Sequence, residues 1–307
     1  MSPAEGLLAG VELGGTKCVC TLGTDPEDVR MQISLPTGGD PQTTLARIEE
    51  VLRNGIALHG PVAALGIASF GPLDLDVRSA RFGSIRRTPK PGWSDTPLAA
   101  FFSRAFGVPI RIDTDVNGAA LAEGRWGAAQ GLDDFAYVTV GTGVGVGLVV
   151  NGQLSRGFAH PELGHIRVAR APGDSFPGIC PFHGACVEGL ASGAAISARA
   201  GRPAEEVPLD HPAWESATQA LAQLLHTIVL GTAPRRILIG GGVLKDRPQL
   251  LARLRRGLEA SIHGYLDLPA LVGDLDRYVI APGLGASAGP LGALALALDA
   301  RIGAARA

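Results

Sequence analysis

Leu8-Ala9-Gly10-Val11-Glu12-Leu13-Gly14-Gly15-Thr16-Lys17-Cys18-Val19-Cys20-Thr21-Leu22 reads as an apolar strand over 8–13, a tight turn at Gly14-Gly15 and an antiparallel return over 17–22. The same device recurs from Phe135. A strand runs to Val140, Gly141-Thr142-Gly143 turns, and 144–150 returns to a closing Asn151-Gly152. A strand–glycine–strand hairpin opening each half predicts an internally duplicated α/β architecture. At 307 residues the chain also exceeds the usual size of one hydrophobic core, so two domains are expected.

Outward from each hairpin, strands alternate with helices. In the first half, Leu45, Ile48, Leu52 and Ile56 repeat at helical spacing and Gly60-Pro61 stops that helix. A strand at 62–68, a helix at 97–106 and a strand at 110–113 follow. In the second half a helix is expected over 214–230. A strand over 236–239 ends in Gly240-Gly241-Gly242, Leu250, Leu254 and Leu258 mark another helix, and 278–280 reads as a last strand. The apolar run 291–298 closes the chain as a helix packing back onto the first domain.

Composition narrows the function. With 46% hydrophobic and 18% charged residues and a formal net charge of −2, the chain has no electrostatic case for nucleic acid or an anionic membrane surface. The run 291–298 is far shorter than the roughly 20 residues of a membrane span. No cationic start followed by an apolar run appears at Met1-Ser2-Pro3-Ala4-Glu5. The expected compartment is therefore cytoplasmic, where the four cysteines stay reduced.

Three glycine-rich turns each follow an expected strand: Gly14-Gly15-Thr16-Lys17, Gly141-Thr142-Gly143 and Gly240-Gly241-Gly242. Backbone N–H groups in such turns can bind phosphate oxygens, because glycine brings no Cβ into the way. Neither GxxxxGK[ST] nor a strand–GxGxxG–helix unit is present, so a P-loop or dinucleotide fold is not indicated. Glu12 could hold a magnesium-bound water beside the first turn. Asp115 lies where the strand 111–113 turns into a helix, and could accept a proton from a substrate hydroxyl. A helix cap is the structural alternative for it, and Asp113 is the rival base. Cys18 and Cys20 share a strand face as small core residues. His59, His211, His226 and His263 have no neighbouring partners in sequence and read as surface or helix residues.

The densest chemistry lies in His160-Pro161-Glu162-Leu163-Gly164-His165 and Cys180-Pro181-Phe182-His183-Gly184-Ala185-Cys186-Val187-Glu188. Cys180, His183, Cys186 and His165 could supply the thiolate and imidazole ligands of a closed zinc tetrahedron, with no position left for a metal-bound water; two buried thiols and two surface histidines are the alternative. Such a zinc is structural, and Glu162 and Glu188 beside it are the residues it would position. Pro172, Pro177 and Pro181 make this segment a loop.

On these residues the chain resembles the ROK (repressor, open reading frame, kinase) sugar kinases, and within them the zinc-containing bacterial fructokinases. Val11 to Lys17 resembles the family's first phosphate motif, and Gly141-Thr142-Gly143-Val144-Gly145 the second. Asp113-Thr114-Asp115-Val116-Asn117-Gly118-Ala119-Ala120 is similar to its catalytic aspartate segment, Glu162-Leu163-Gly164-His165 to its sugar motif, and Ile239 to Val243 to its adenosine motif. The zinc segment and Thr88-Pro89-Lys90-Pro91-Gly92-Trp93 point to the fructokinase branch. Two departures stand out: Glu12 replaces the Asp of the wider family, and Arg86-Arg87 precede Thr88 in place of small hydroxyl residues.

The resemblance implies a duplicated actin-like ATPase (ribonuclease H-like) fold of two domains with an interdomain cleft. The smaller α/β domain would span 1–115, with the helix over 290–307 returning to it, and the larger would span 116–289. It implies that Asp115 is the catalytic base, that Asn117, Glu162, His165 and Glu188 contact the sugar, and that His165 also ligates zinc. Glu12, Gly14, Gly15, Thr16, Lys17, Gly141, Thr142, Gly143, Gly240, Gly241, Gly242 and Val243 would serve ATP and magnesium. The expected activity is phosphorylation of D-fructose at O6, by a homodimer. Kinases for glucose, mannose or N-acetylmannosamine and a sugar-sensing repressor are the alternatives. The first motif begins too close to Met1 to leave room for the helix-turn-helix of such repressors.

Overall fold

The computed structural model describes residues 6–171, 173–245, 247–266 and 273–306. The chain divides into two compact units. The first comprises the chain through Gln130, the short segment Arg156–His160 and the chain from Ala286 onward; the second comprises Gly131–Ser155 and Pro161–Gly285.

In the first unit, strands β1 (Leu7–Leu13), β2 (Lys17–Gly23), β3 (Val29–Pro36), β4 (Val62–Ser69) and β5 (Ile110–Thr114) form one sheet in the order β3-β2-β1-β4-β5. The hairpin pairs β1 with β2 antiparallel, while β4 and β5 join in parallel. In the second unit, β6 (Phe135–Val140), β7 (Val144–Val150), β8 (Gln153–Leu154), β9 (Arg236–Gly240) and β10 (Val279–Ile280) follow the same plan, in the order β10-β9-β6-β7-β8. There β6 pairs antiparallel with β7 and parallel with β9. Each sheet thus starts from a glycine hairpin and grows on one side through parallel strands, which need helical crossovers.

Helix α1 (Pro41–His59) is one such crossover. Asp40 caps it by accepting N–H bonds from Gln42 and Thr43, and Leu45, Ile48 and Leu52 form its buried stripe. Helix α2 (Leu98–Phe106) buries Leu98 and Phe102 and ends on left-handed Gly107. In the second unit, helices α4 (Val187–Ala191), α5 (Gly193–Ala200), α6 (Pro212–Thr232) and α7 (Pro248–Ile262) build a core around Trp214, Leu224 and Leu254.

Helix α3 (Asp115–Trp126) follows β5 and remains with the first unit, whose main stretch therefore extends past 115 to Gln130. The reason is packing. α3 lies against the C-terminal helix, Ala288–Arg306, which also covers β1 and β4. A Cβ at Gly66 of β4 would fall 2.0 Å from the carbonyl oxygen of Ala293. Only a residue without a side chain permits this approach. Asp299 then joins Arg111 of β5 and Arg125 of α3 at 2.8 and 2.6 Å.

Two elements differ from the sequence expectation. Strand β3 alternates apolar and polar residues but is an edge strand with most side chains exposed, so it lacks the apolar run that marks its neighbours. Tyr278 ends a helical turn, α8 (Leu275–Tyr278), because its N–H and that of Arg277 bond back to the Asp274 carbonyl. His211 and His226 also have partners. His211 Nδ1 caps α6, accepting from the Ala213 N–H, and His226 Nδ1 lies 2.8 Å from the Ser261 hydroxyl. Pro172 lies outside the described residues; Pro177 and Pro181 do flank a loop. Cys18 and Cys20 are both buried in the first core.

Candidate active site and metal centre

In the first unit the β1–β2 turn is closed by Gly14 N–H donating to the Lys17 carbonyl. Thr37 braces it from outside, its hydroxyl donating to Gly14 O and its N–H to Thr16 O. Lys90 adds a bond from Nζ to Gly15 O at 2.7 Å. Gly15, Thr16 and Lys17 stay exposed at the tip. Arg86 pairs with buried Asp74 at 3.5 Å, and Trp93 is fully buried with its Nε1–H on Gly38 O.

Glu12 and Asp115 lie near enough in this unit to feel each other's charge. Burial lifts the Asp115 carboxyl to about 6. Burial, and then the negative charge of Asp115, push Glu12 up to about 7 against the opposite pull of Lys17. Two half-buried acids with raised proton affinity make a corner short of positive charge. That donor set, all oxygen and partly open, suits magnesium shared with a phosphate ligand.

The two aspartates flanking Thr114 divide in character. Asp113 is wholly buried; one oxygen accepts from the Thr114 N–H and the Asn117 amide, each at 2.8 Å, and the other meets the Arg156 guanidinium. Asp115 accepts from the Val116 N–H at 2.9 Å. It is not the helix cap, because Thr114 takes that role by accepting the Asn117 N–H. Asn117 is buried, with its amide group turned onto Asp113.

In the second unit Gly141 N–H closes the β6–β7 turn on Gly143 O, and Gly193 N–H anchors it through Gly141 O at 2.7 Å. Glu188, in the first turn of α4, lies against this turn. Its Oε2 accepts from the Val144 N–H at 3.1 Å, and its Oε1 is 3.9 Å from His165 Nε2. A Cβ at Gly143 would sit 2.5 Å from Glu188 Oε2, so glycine is what admits the carboxylate. After β9, Gly240-Gly241-Gly242 turns the chain so that the Val243 N–H bonds to Val140 O at 3.0 Å. This brings the third glycine segment beside the second. Glu162 is exposed just before the 3-10 turn Leu163–His165.

His165, Cys180, His183 and Cys186 converge, with one ligand atom from each within 4.8 Å of the others. His165 Nδ1 is 3.6 Å from both sulfurs, and His183 Nδ1 is 3.6 Å from Cys180 Sγ. A tetrahedral zinc with bonds of about 2.3 Å to sulfur and 2.05 Å to nitrogen has S···N edges of about 3.6 Å. The cluster fits that ion. Burial, with Cys180 adjacent, pushes the Cys186 thiol up to about 11, so a cation is what would make it a thiolate. With Nδ1 on the metal, the other ring nitrogen of His165 faces Glu188.

The glycine turns and the Cys/His set are therefore where the sequence places them. Arg156 and Thr37 brace these residues without any local signal, and the Thr88–Trp93 motif gives no sign of the bond its Lys90 makes: Arg156 is 43 positions from Asp113, and Lys90 is 75 from Gly15.

A mixed five-stranded sheet laid out twice from a glycine hairpin is the duplicated actin-like ATPase fold. A solved ROK hexokinase from Thermus thermophilus shares it, with a TM-score of 0.75 at 27% identity, over 95% of this chain and 97% of that one. The ROK family model matches residues 8–300, and the chain belongs to the ROK family. Among curated relatives, a fructokinase of Zymomonas mobilis is 42% identical over 94% of this chain and 96% of its own length. A fructokinase of Pediococcus pentosaceus is 38% identical, over 95% and 97% respectively.

Proposed function

We propose that the protein is an ATP-dependent fructokinase, converting D-fructose and ATP to fructose 6-phosphate and ADP. Asp115 accepts the O6 proton, O6 bonds to the γ-phosphorus, and the bond from that phosphorus to the β–γ bridging oxygen breaks. The observation that carries this reading is the contrast between the two aspartates. Asp113 is held by three donors, whereas Asp115, lifted to about 6, is still mostly ionised near pH 7 and can take a proton. The exposed turns at Gly14–Lys17 and Gly141–Gly143 would present N–H groups to phosphate oxygens, with the Gly240–Val243 segment toward adenosine. Glu162, His165 and Glu188 would hold the sugar. Asn117 serves through Asp113 rather than by direct contact.

Magnesium, when bound near Glu12, would offset phosphate charge as the transferred group develops its transition state. Zinc, when bound, would fix the loop that carries His165 and Glu188. Fructose rather than another hexose is supported by the two full-length relatives named fructokinase. The Thermus thermophilus hexokinase supports the broader alternative. Coupled ADP release over fructose, glucose, mannose and N-acetylmannosamine decides between them. Fructose should give the highest kcat/KM, and a higher value for another sugar overturns the assignment. A homodimer is proposed on the family's account and is checked by light scattering. The cytoplasmic assignment is proposed from the sequence; among the described residues no helix is long and apolar enough to cross a membrane.

A further inference from the structure

The segment Arg156–His160 belongs to the first unit, although the chain enters it from Ser155 and leaves it at Pro161, both in the second. Bonds at both of its ends hold it there. The Arg156 guanidinium meets Asp113, and His160 Nε2 accepts the Leu73 N–H at 3.0 Å. Between them the chain turns through a Gly157 N–H bond to Ala159 O, leaving Phe158 91% exposed. Asp113 passes the restraint on. Its other oxygen holds the Thr114 N–H and the Asn117 amide, which are the cap and first turn of α3, where Asp115 stands. In the opposite direction along the chain, Glu162 comes two residues after His160 and His165 three later.

We propose that Arg156 is a positioning residue: by pairing with Asp113 it fastens the chain leading into the Glu162–His165 turn to the helix start that presents Asp115. The role follows from the chemistry of the pair. Asp113 is fully buried, and a buried carboxylate is costly to leave without its cation. Arginine suits the place because it stays charged and its planar fork fixes direction as well as distance. This inference rests on the fructokinase reading, since it assigns Glu162 and His165 to the sugar.

The test uses Arg156→Gln, which strands the buried Asp113 charge, beside Arg156→Gln combined with Asp113→Asn, which removes both charges and keeps a polar pair. Arg156→Lys keeps the charge but not the fork. In the double variant, folded by circular dichroism and melting, the KM for fructose should rise and kcat/KM fall by about tenfold or more. The KM for ATP should stay within about twofold, and the lysine variant should lie between. A folded double variant with wild-type fructose kinetics overturns the proposal, as does an equal loss for both substrates. If no variant folds, hydrogen exchange on the wild-type protein decides. Fructose should protect residues 156–165 and the first turn of α3 together; protection of one without the other refutes the coupling. Wild-type protein inactive on fructose but active on another hexose would correct the substrate reading alone, and the exchange experiment would be repeated with that sugar.

Discussion

Replacing Asp115 with Asn tests the base directly. The substitution keeps size and the Val116 N–H bond but removes the proton acceptor. General-base catalysis contributes on the order of 10²–10⁴-fold, and kcat should fall by that factor while both substrates still bind. The wild-type pH profile sets a second, independent number. With its carboxyl lifted to about 6, Asp115 is about 90% ionised at pH 7 and about 10% ionised at pH 5. The kcat/KM of the free enzyme should therefore drop about tenfold between those values, with unit slope, and the Asp115→Asn profile should lose that limb. A third consequence falls on Glu12. Losing the neighbouring negative charge should bring its carboxyl down from about 7, though burial keeps it above an ordinary glutamate. Coupled ADP release gives the rates, and carbon-13 NMR of labelled Glu12 gives the titration. An Asp115→Asn protein that binds both substrates and turns over within a few-fold of wild type would refute the assignment.

Other expectations concern the metal and the turns. Elemental analysis should find one zinc per chain, and a chelator or Cys186→Ser should lower the melting temperature together with fructose phosphorylation; full activity without metal would rule out a structural role. Glu12→Gln removes an acid whose folded affinity for protons exceeds its unfolded one, so its destabilising effect grows as pH rises from about 4 through 7. Without nucleotide or magnesium, the variant should melt a few degrees higher than wild type at pH 8 and equally at pH 4, by calorimetry. Gly143→Ala places a methyl group 2.5 Å from Glu188 Oε2 and must move the carboxylate or the turn. A loss of about tenfold or more in kcat/KM with little change in melting is the expected result.

Much of this was legible in the chain because the decisive residues sit close together in sequence. Each hairpin is a local pattern, so β1–β2 and β6–β7 follow from apolar runs broken by glycine. Cys180, His183 and Cys186 lie within a loop's length, and only His165 has to be brought in from outside it. What stayed hidden depends on distant pairing. β3 gives weak signals because an edge strand buries little, and α3 packs mainly against a helix about 160 positions further along the chain. The choice between Asp113 and Asp115 could not be made from their spacing. It depends on Arg156, a residue no rule of local sequence connects to either.

The C-terminal helix over β1 and β4 reverses the order in which the molecule can be finished. The β1–β2 hairpin is made before that helix, and the apolar face it shares with Gly66 stays bare until Ala288–Arg306 emerges. The second unit, drawn entirely from earlier residues, can close while the first still waits. The sheet built on β1 is thus sheltered from water only after the second unit can close, and a pause in translation before that helix would leave it exposed to chaperones and proteases.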